Sequence, residues 1–277
     1  MGNKPTIHHV ASLWTLTGYS SQDGEWTLEQ KLDSIRSAGF TGFAGRISQV
    51  TSELIENSGL VFCAIHDIGL TSDIRAELEQ LKAVGSACVN VQMLDHDSPT
   101  EMAVPLAIEV LRVADDLELD VGIEVHRDTC TETPEKTYAL AEGYEKSENR
   151  PMKITWDFSH PAIIKHISPP YWNRLAERVD LIQYASQFHF RPFNGHHCQI
   201  SALDHDGNFT PEFLDWLPFA EMVIKTWLES ATEDHVMYAC PEQGPPGYAL
   251  SIFPDLWKDA QAIRGELDRI WQSLTGS

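Results

Sequence analysis

Met152-Lys-Ile-Thr-Trp-Asp-Phe-Ser-His160 is a run of β-forming, largely apolar residues that closes on an acid, a hydroxyl and an imidazole. Three other runs, all from residue 121 onward, are built the same way: Val121-Gly-Ile-Glu-Val-His126, residues 181–191, and Val236-Met-Tyr-Ala-Cys-Pro-Glu242. Each carries one metal-competent side chain late in the run, namely Glu124, Asp157, His189 and Glu242. Side chains alternate between the two faces of a strand, so residues two apart share a side. Gly122, Glu124 and His126 then fall together. In the third run Gln183, Ala185, Gln187, His189 and Arg191 oppose Tyr184, Phe188 and Phe190. Polar residues on one side of apolar strands are expected of a barrel with a polar mouth and an outer wall packed on helices.

Outward from these runs the same rhythm covers the chain. Strand patterns are expected at residues 7–16, 41–44, 60–65 and 88–94, and helical stripes at 27–38, 52–57, 74–84 and 102–117. Further helices are expected at 134–146, 170–177, 211–228 and 254–274; Thr133-Pro134 and Thr210-Pro211 mark two N-termini. Eight strand-plus-helix units without a Gly/Ser/Pro-rich linker predict an α/β chain forming one (β/α)8 TIM barrel over residues 1–277. A doubly wound sheet is the rival, but no Gly-x-Gly-x-x-Gly follows the first strand and no Gly-x-x-x-x-Gly-Lys-Ser/Thr occurs. The irregular stretch from Arg191 to Thr210 is expected on the active-site face, as a substrate lid.

A formal charge of −21, with no cluster of Lys or Arg, argues against nucleic acid as a partner. Cys63, Cys88, Cys130, Cys198 and Cys240 never fall in a Cys-x-x-Cys spacing, so neither a zinc ribbon nor a disulfide framework is implied. Met1-Gly-Asn-Lys-Pro-Thr6 lacks a signal-peptide core, and no apolar stretch is long enough to span a membrane. The expectation is a cytoplasmic protein with reduced thiols and no membrane partner. Dimers or tetramers are common for acidic barrels of this kind.

Glu124, Asp157-Phe-Ser-His160, His189 and Glu242 resemble the xylose isomerase-like TIM barrel superfamily, which groups sugar phosphate isomerases and epimerases with AP endonuclease family 2. The resemblance spans nearly the whole chain. It implies that the four residues bind one divalent ion (Mn²⁺ first, with Mg²⁺, Co²⁺ or Zn²⁺ as alternatives) and that His160 contacts substrate. One departure stands out: where many members place an acid after the seventh-strand His, this chain reads His189-Phe-Arg191. Three carboxylates and an imidazole suit hard to borderline ions. The expected chemistry is isomerisation or epimerisation of a sugar, keto-sugar or sugar derivative through an enediolate, with Glu124 and Glu242 exchanging the proton. The alternative is a dehydratase or lyase eliminating β to the carbonyl of a keto-inositol or 3-keto-glycoside. An AP endonuclease and a non-catalytic sugar-binding barrel stand behind these.

The remaining candidates are substrate contacts. Arg191 would clamp an anionic or hydroxyl group, His126 shares the face of Glu124, His66 and Gln92 end their strands, and Trp14 could stack on a sugar ring. Each has a structural alternative. Glu124 and Glu242 could pair with Arg46 or Arg191, Asp157 could cap the turn before Pro161, and His160 and His126 could be hydrogen-bonded rim residues. His196 and His197 are read as solvated loop residues and His8-His9 as structural.

Overall fold

Val, Ile, Phe and Trp recur at alternate positions of the strands and bury one face of each against helices, while small, thiol and amide side chains fill the other face. The computed structural model describes residues 4–21 and 24–276. The N-terminal reading falls partly on residues 1–3, which lie outside the described residues. Strands β1 (Thr6–Ser12), β2 (Gly42–Gly45), β3 (Val61–Ile68), β4 (Ser86–Met93), β5 (Asp120–Glu124), β6 (Ile154–Asp157), β7 (Gln187–His189) and β8 (Val236–Cys240) each pair in parallel with the next. β8 pairs with β1, which closes the expected eight-stranded barrel. Among the described residues, no helix is long and apolar enough to cross a membrane.

The surrounding helices are α1 (Leu28–Ser37), α2 (Ser52–Ser58), α3 (Ile74–Val84), α4 (Thr100–Asp116), α5 (Pro134–Glu148), α6 (Ser159–Lys165), α7 (Val179–Tyr184), α8 (Pro211–Leu228) and α9 (Leu256–Thr275). Thr27, Thr51, Asp73, Thr133, Thr210 and Asp255 cap their N-termini by accepting backbone N–H bonds. The interior plug of the barrel is Val10, Ala44, Cys63, Cys88 and Cys240. Gly122 lets β5 and β6 approach closely, since a Cβ there would sit 2.6 Å from Thr155 Oγ1.

The seventh unit departs from expectation. Residues 179–184 are helix rather than strand, so β7 begins only at Gln187 and the alternation read through Gln183 and Tyr184 does not hold. Two buried indoles pin this helix to the wall, with Trp156 Nε1 donating to Leu181 O at 3.3 Å and Trp227 Nε1 to Ala185 O at 2.7 Å. The helix expected at 170–177 shrinks to the turn Trp172–Leu175, broken by non-helical Asn173 and Arg174. β6 ends at Asp157, and His160 lies on α6.

The loop 191–210 is fastened rather than lid-like. Gln199 and Gly244 exchange hydrogen bonds, Nε2 to Gly244 O at 3.1 Å and Gly244 N to Oε1 at 2.6 Å. Buried Asp259, in the first turn of α9, accepts from Ser201 Oγ, Ala202 N and Leu203 N at 2.8, 3.1 and 3.0 Å. His196 and His197 are exposed, and so are residues 204–209; Asn194 Oδ1 accepts from the backbone N–H of both histidines.

Asp259→Ala would strand those donors and is expected to lower stability by about 3 kcal/mol, read from the urea midpoint. Burial holds the His9 imidazole well below its ordinary pKa; Arg264 adds to this and Asp268, 3.5 Å away, opposes it. The unfolded chain therefore takes up the proton first, and the stability owed to neutral His9 is lost as pH falls below about 6.5. His9→Gln is expected to flatten the acid limb of stability between pH 7 and 5.

Candidate metal centre

Register brings the ligand candidates level. Asp157 on β6 is the ladder partner of His189 on β7, and His189 in turn is the partner of Cys240, two residues before Glu242. Glu124 ends β5 on the same mouth. All four side chains are buried. His189 Nδ1 lies 3.0 Å from Glu124 Oε1 and 3.6 Å from Glu242 Oε2. Ligand atoms of Glu124, Asp157 and His189 all lie within 4.8 Å of one another.

Glu242 stands slightly apart because it has another partner. The guanidinium of Arg191, 2 % exposed, bonds Glu242 Oε2 and approaches Asp157 Oδ2 at 3.4 Å. This answers the structural alternative for Glu242 with Arg191, while Arg46 pairs with Asp67 instead. Asp157 plays two parts. Its Oδ1 accepts from Ser159 N at 2.9 Å and from Ser159 Oγ, which starts α6, and its Oδ2 has no hydrogen-bond partner. Asn90 Nδ2, from inside β4, holds Glu124 Oε2 at 2.7 Å.

Electrostatics follow from this packing. Burial alone would raise the Glu124 carboxyl, but the charge of His189, 3.0 Å away, with His126 and the Asn90 hydrogen bond, holds it well below the usual carboxylate range. Burial likewise opposes ionisation of Asp157, and Arg191 leads the groups that keep it ionised. Burial works against a charged His189 too, yet Glu242 and Glu124 raise it to about 9. His160 is kept neutral, chiefly by burial.

The donor set fits a divalent ion. Asp157 Oδ2 and His189 Nδ1 are buried, lack hydrogen-bond partners and converge with Glu124, and unpaired buried polar atoms of that kind call for a ligand. With a neutral imidazole, Glu124, Asp157 and Glu242 against Arg191 leave two negative charges, matching one dication.

Above these residues opens a cavity of about 420 Å³. Trp14, Gln92, His126 and Arg191 line it, together with Ser12, Gln49 and Tyr248. Tyr248 lies edge-on to Trp14 and under the guanidiniums of Arg191 and Arg127, at 5.0 and 4.5 Å. Gly244 permits this, since a Cβ would fall 2.4 Å from the Trp14 ring.

Two expected substrate contacts change place. His66 faces away from the cavity, because its neighbour Ile65 takes the inward position, and its Nε2 meets Glu77 on α3 at 2.9 Å. His160 is wholly buried and does not line the cavity, its Nε2 3.3 Å from Asp157 Oδ2 and its ring 4.1 Å from that of His126. The anion clamp expected of Arg191 is already engaged by the protein's own carboxylates. Asn90 went unread, although it shares the inward parity of Gln92; Tyr248, in an irregular loop, gives no signal in the sequence.

No protein-family model matches the chain, and no curated protein matches it. Solved structures do. A xylose isomerase-like TIM barrel protein from Mycobacterium smegmatis in complex with magnesium is 14% identical, with a TM-score of 0.63 over 96% of this chain and 97% of that one. A D-tagatose 3-epimerase-like protein is 14% identical (TM-score 0.60, covering 97% and 98%). The probable 3-DHS dehydratase AsbF of Bacillus anthracis, involved in petrobactin synthesis, is 13% identical (0.58, 93% and 98%). At such identities the likeness is one of architecture. The chain shares the closed (β/α)8 TIM-barrel fold of these structures.

Proposed function

We propose that the protein is a divalent-metal-dependent isomerase or epimerase of a sugar, keto-sugar or sugar derivative. The observation that carries this reading is the convergence of Glu124, His189 and Glu242 within 3.0 and 3.6 Å, with Asp157 beside them, beneath a polar and aromatic cavity. Glu124, Asp157 and His189 would hold the ion, Mn²⁺ by preference, with Glu242 completing the set or standing beside it as base. A bound dication would polarise a substrate carbonyl and an adjacent hydroxyl.

The chain's own residues supply the proton handling. Glu124 and Glu242 flank His189 from different strands, so a carbon held between them can lose a proton to one carboxylate and regain it from the other. Asn90 fixes the first carboxylate and Arg191 the second. Gln92, Gln49 and Ser12 offer hydrogen bonds to hydroxyls, and Trp14 and Tyr248 offer faces for a sugar ring. Both arginines lining the cavity are matched, Arg191 to Asp157 and Glu242 and Arg46 to Asp67, which favours a neutral, unphosphorylated substrate.

Incubation with keto-sugars and Mn²⁺ in D₂O, followed by NMR, is expected to show deuterium entering beside the carbonyl at constant substrate mass; a product lighter by one water would replace this reading with the dehydratase. Glu242→Gln is expected to lower kcat by about 100-fold or more while metal stays bound, and full turnover would remove Glu242 as the base. Because His189 holds a proton up to about pH 9, an ion arriving at Nδ1 must displace it. Metal affinity is therefore expected to rise with pH, by about tenfold per unit below that value. Calorimetry in buffers of different ionisation enthalpy should detect about one proton released per ion at pH 7.

A further inference from the structure

Beside the inner ligand set, Glu124 also belongs to a second group. Ligand atoms of Glu124, His126 and His160 lie within 4.8 Å of one another. Neither His160 nitrogen has a hydrogen-bond partner, although the side chain is wholly buried. A buried imidazole left unpaired at both nitrogens is costly, and its persistence calls for a ligand. His126 is arranged as a metal-ligating histidine usually is. Its Nδ1 meets the carbonyl of Arg127, which can only accept, so the ring proton lies on Nδ1 and Nε2 keeps its lone pair. His126 also lines the cavity, giving the group a route to solvent. Thr131 Oγ1 accepts from His126 N at 3.3 Å and itself bonds Glu124 O, tying the backbones of both residues together.

We propose that Glu124, His126 and His160 form a second divalent-cation position, sharing the Glu124 carboxylate with the inner set and suited to zinc-like ions. The inference shares Glu124 with the single-ion reading and otherwise stands on different residues. Two imidazoles and one carboxylate with room for a water is a donor set that zinc takes readily, whereas the inner set is richer in oxygen and suits Mn²⁺ or Mg²⁺. Bonds of about 2.1 Å set tetrahedral donors about 3.4 Å apart, so an ion draws donors that now lie within 4.8 Å of one another together by up to about 1.4 Å, within reach of rotation about the side-chain bonds. One dication already balances the inner charges, so the second ion binds more weakly.

The test is a titration of chelator-stripped protein with Co²⁺, followed by its visible absorbance, and equilibrium dialysis against Zn²⁺ with elemental analysis. Wild type is expected to bind two equivalents, the second at least about tenfold more weakly. His126→Gln, at a partly exposed position, and His160→Asn should each keep only one, and His189→Gln should lose the tighter one. If wild type binds one ion that survives His126→Gln but is lost in His189→Gln, the second position is overturned and the single-ion reading stands. One ion lost in both variants also overturns it, as does a second equivalent that His126→Gln leaves in place. One ion kept in His189→Gln but lost in His126→Gln supports the outer position and removes the inner one. No bound ion removes both.

Discussion

The guanidinium of Arg191, buried between Glu242 and Asp157, sets the terms for everything at the barrel mouth. Ions removed from water are stable only when their neighbours replace the lost hydration, and an unpaired survivor is far more damaging than an absent pair. Here three carboxylates, one guanidinium and one imidazole share that burden. Beneath them lies a plug of thiols and aliphatics with little polarity to offer. The charges must therefore satisfy one another, or an ion must.

That requirement extends into the loops. Tyr248 and Trp14 lie against the Arg191 guanidinium, Gly244 leaves room for the indole, and the reciprocal bonds of Gln199 hold Gly244 in place. Loops after β1, β7 and β8 thus meet in one packed arrangement. A polar site framed in this way needs little rearrangement to receive a ligand, and that preorganisation is what makes electrostatic catalysis effective.

Much of this was legible in the sequence, for physical reasons particular to each element. Residues 74–84 and 211–228 are helices as their periodicity indicates, because their apolar stripes coincide with the surfaces they bury. Glu124, Asp157, His189 and Glu242 could be read because each ends or follows a strand, where parity fixes direction. The seventh unit could not. Leu181 and Ile182 suit a helical turn as well as a strand, and the deciding bonds come from Trp156 and Trp227 on distant segments. His66 failed on a single step of parity, with Ile65 inward. The pairing of Arg191 with Glu242 was among the alternatives the sequence offered, but its approach to Asp157 was not, because nothing in the sequence sets the reach of a side chain from one strand to the next.

The level pairing of Asp157 with His189 across the β6–β7 ladder also bears on how the molecule comes into being. Pairing of β7 with β8 likewise brings Glu242 beside His189, and Glu124 reaches it from β5 across β6, so the ligand candidates come from four successive strands. Closing a parallel barrel depends on contacts distant in sequence and is correspondingly slow. The burial of the centre is then complete only when β8 meets β1, and half-folded chains lack the surroundings that would let them retain an ion.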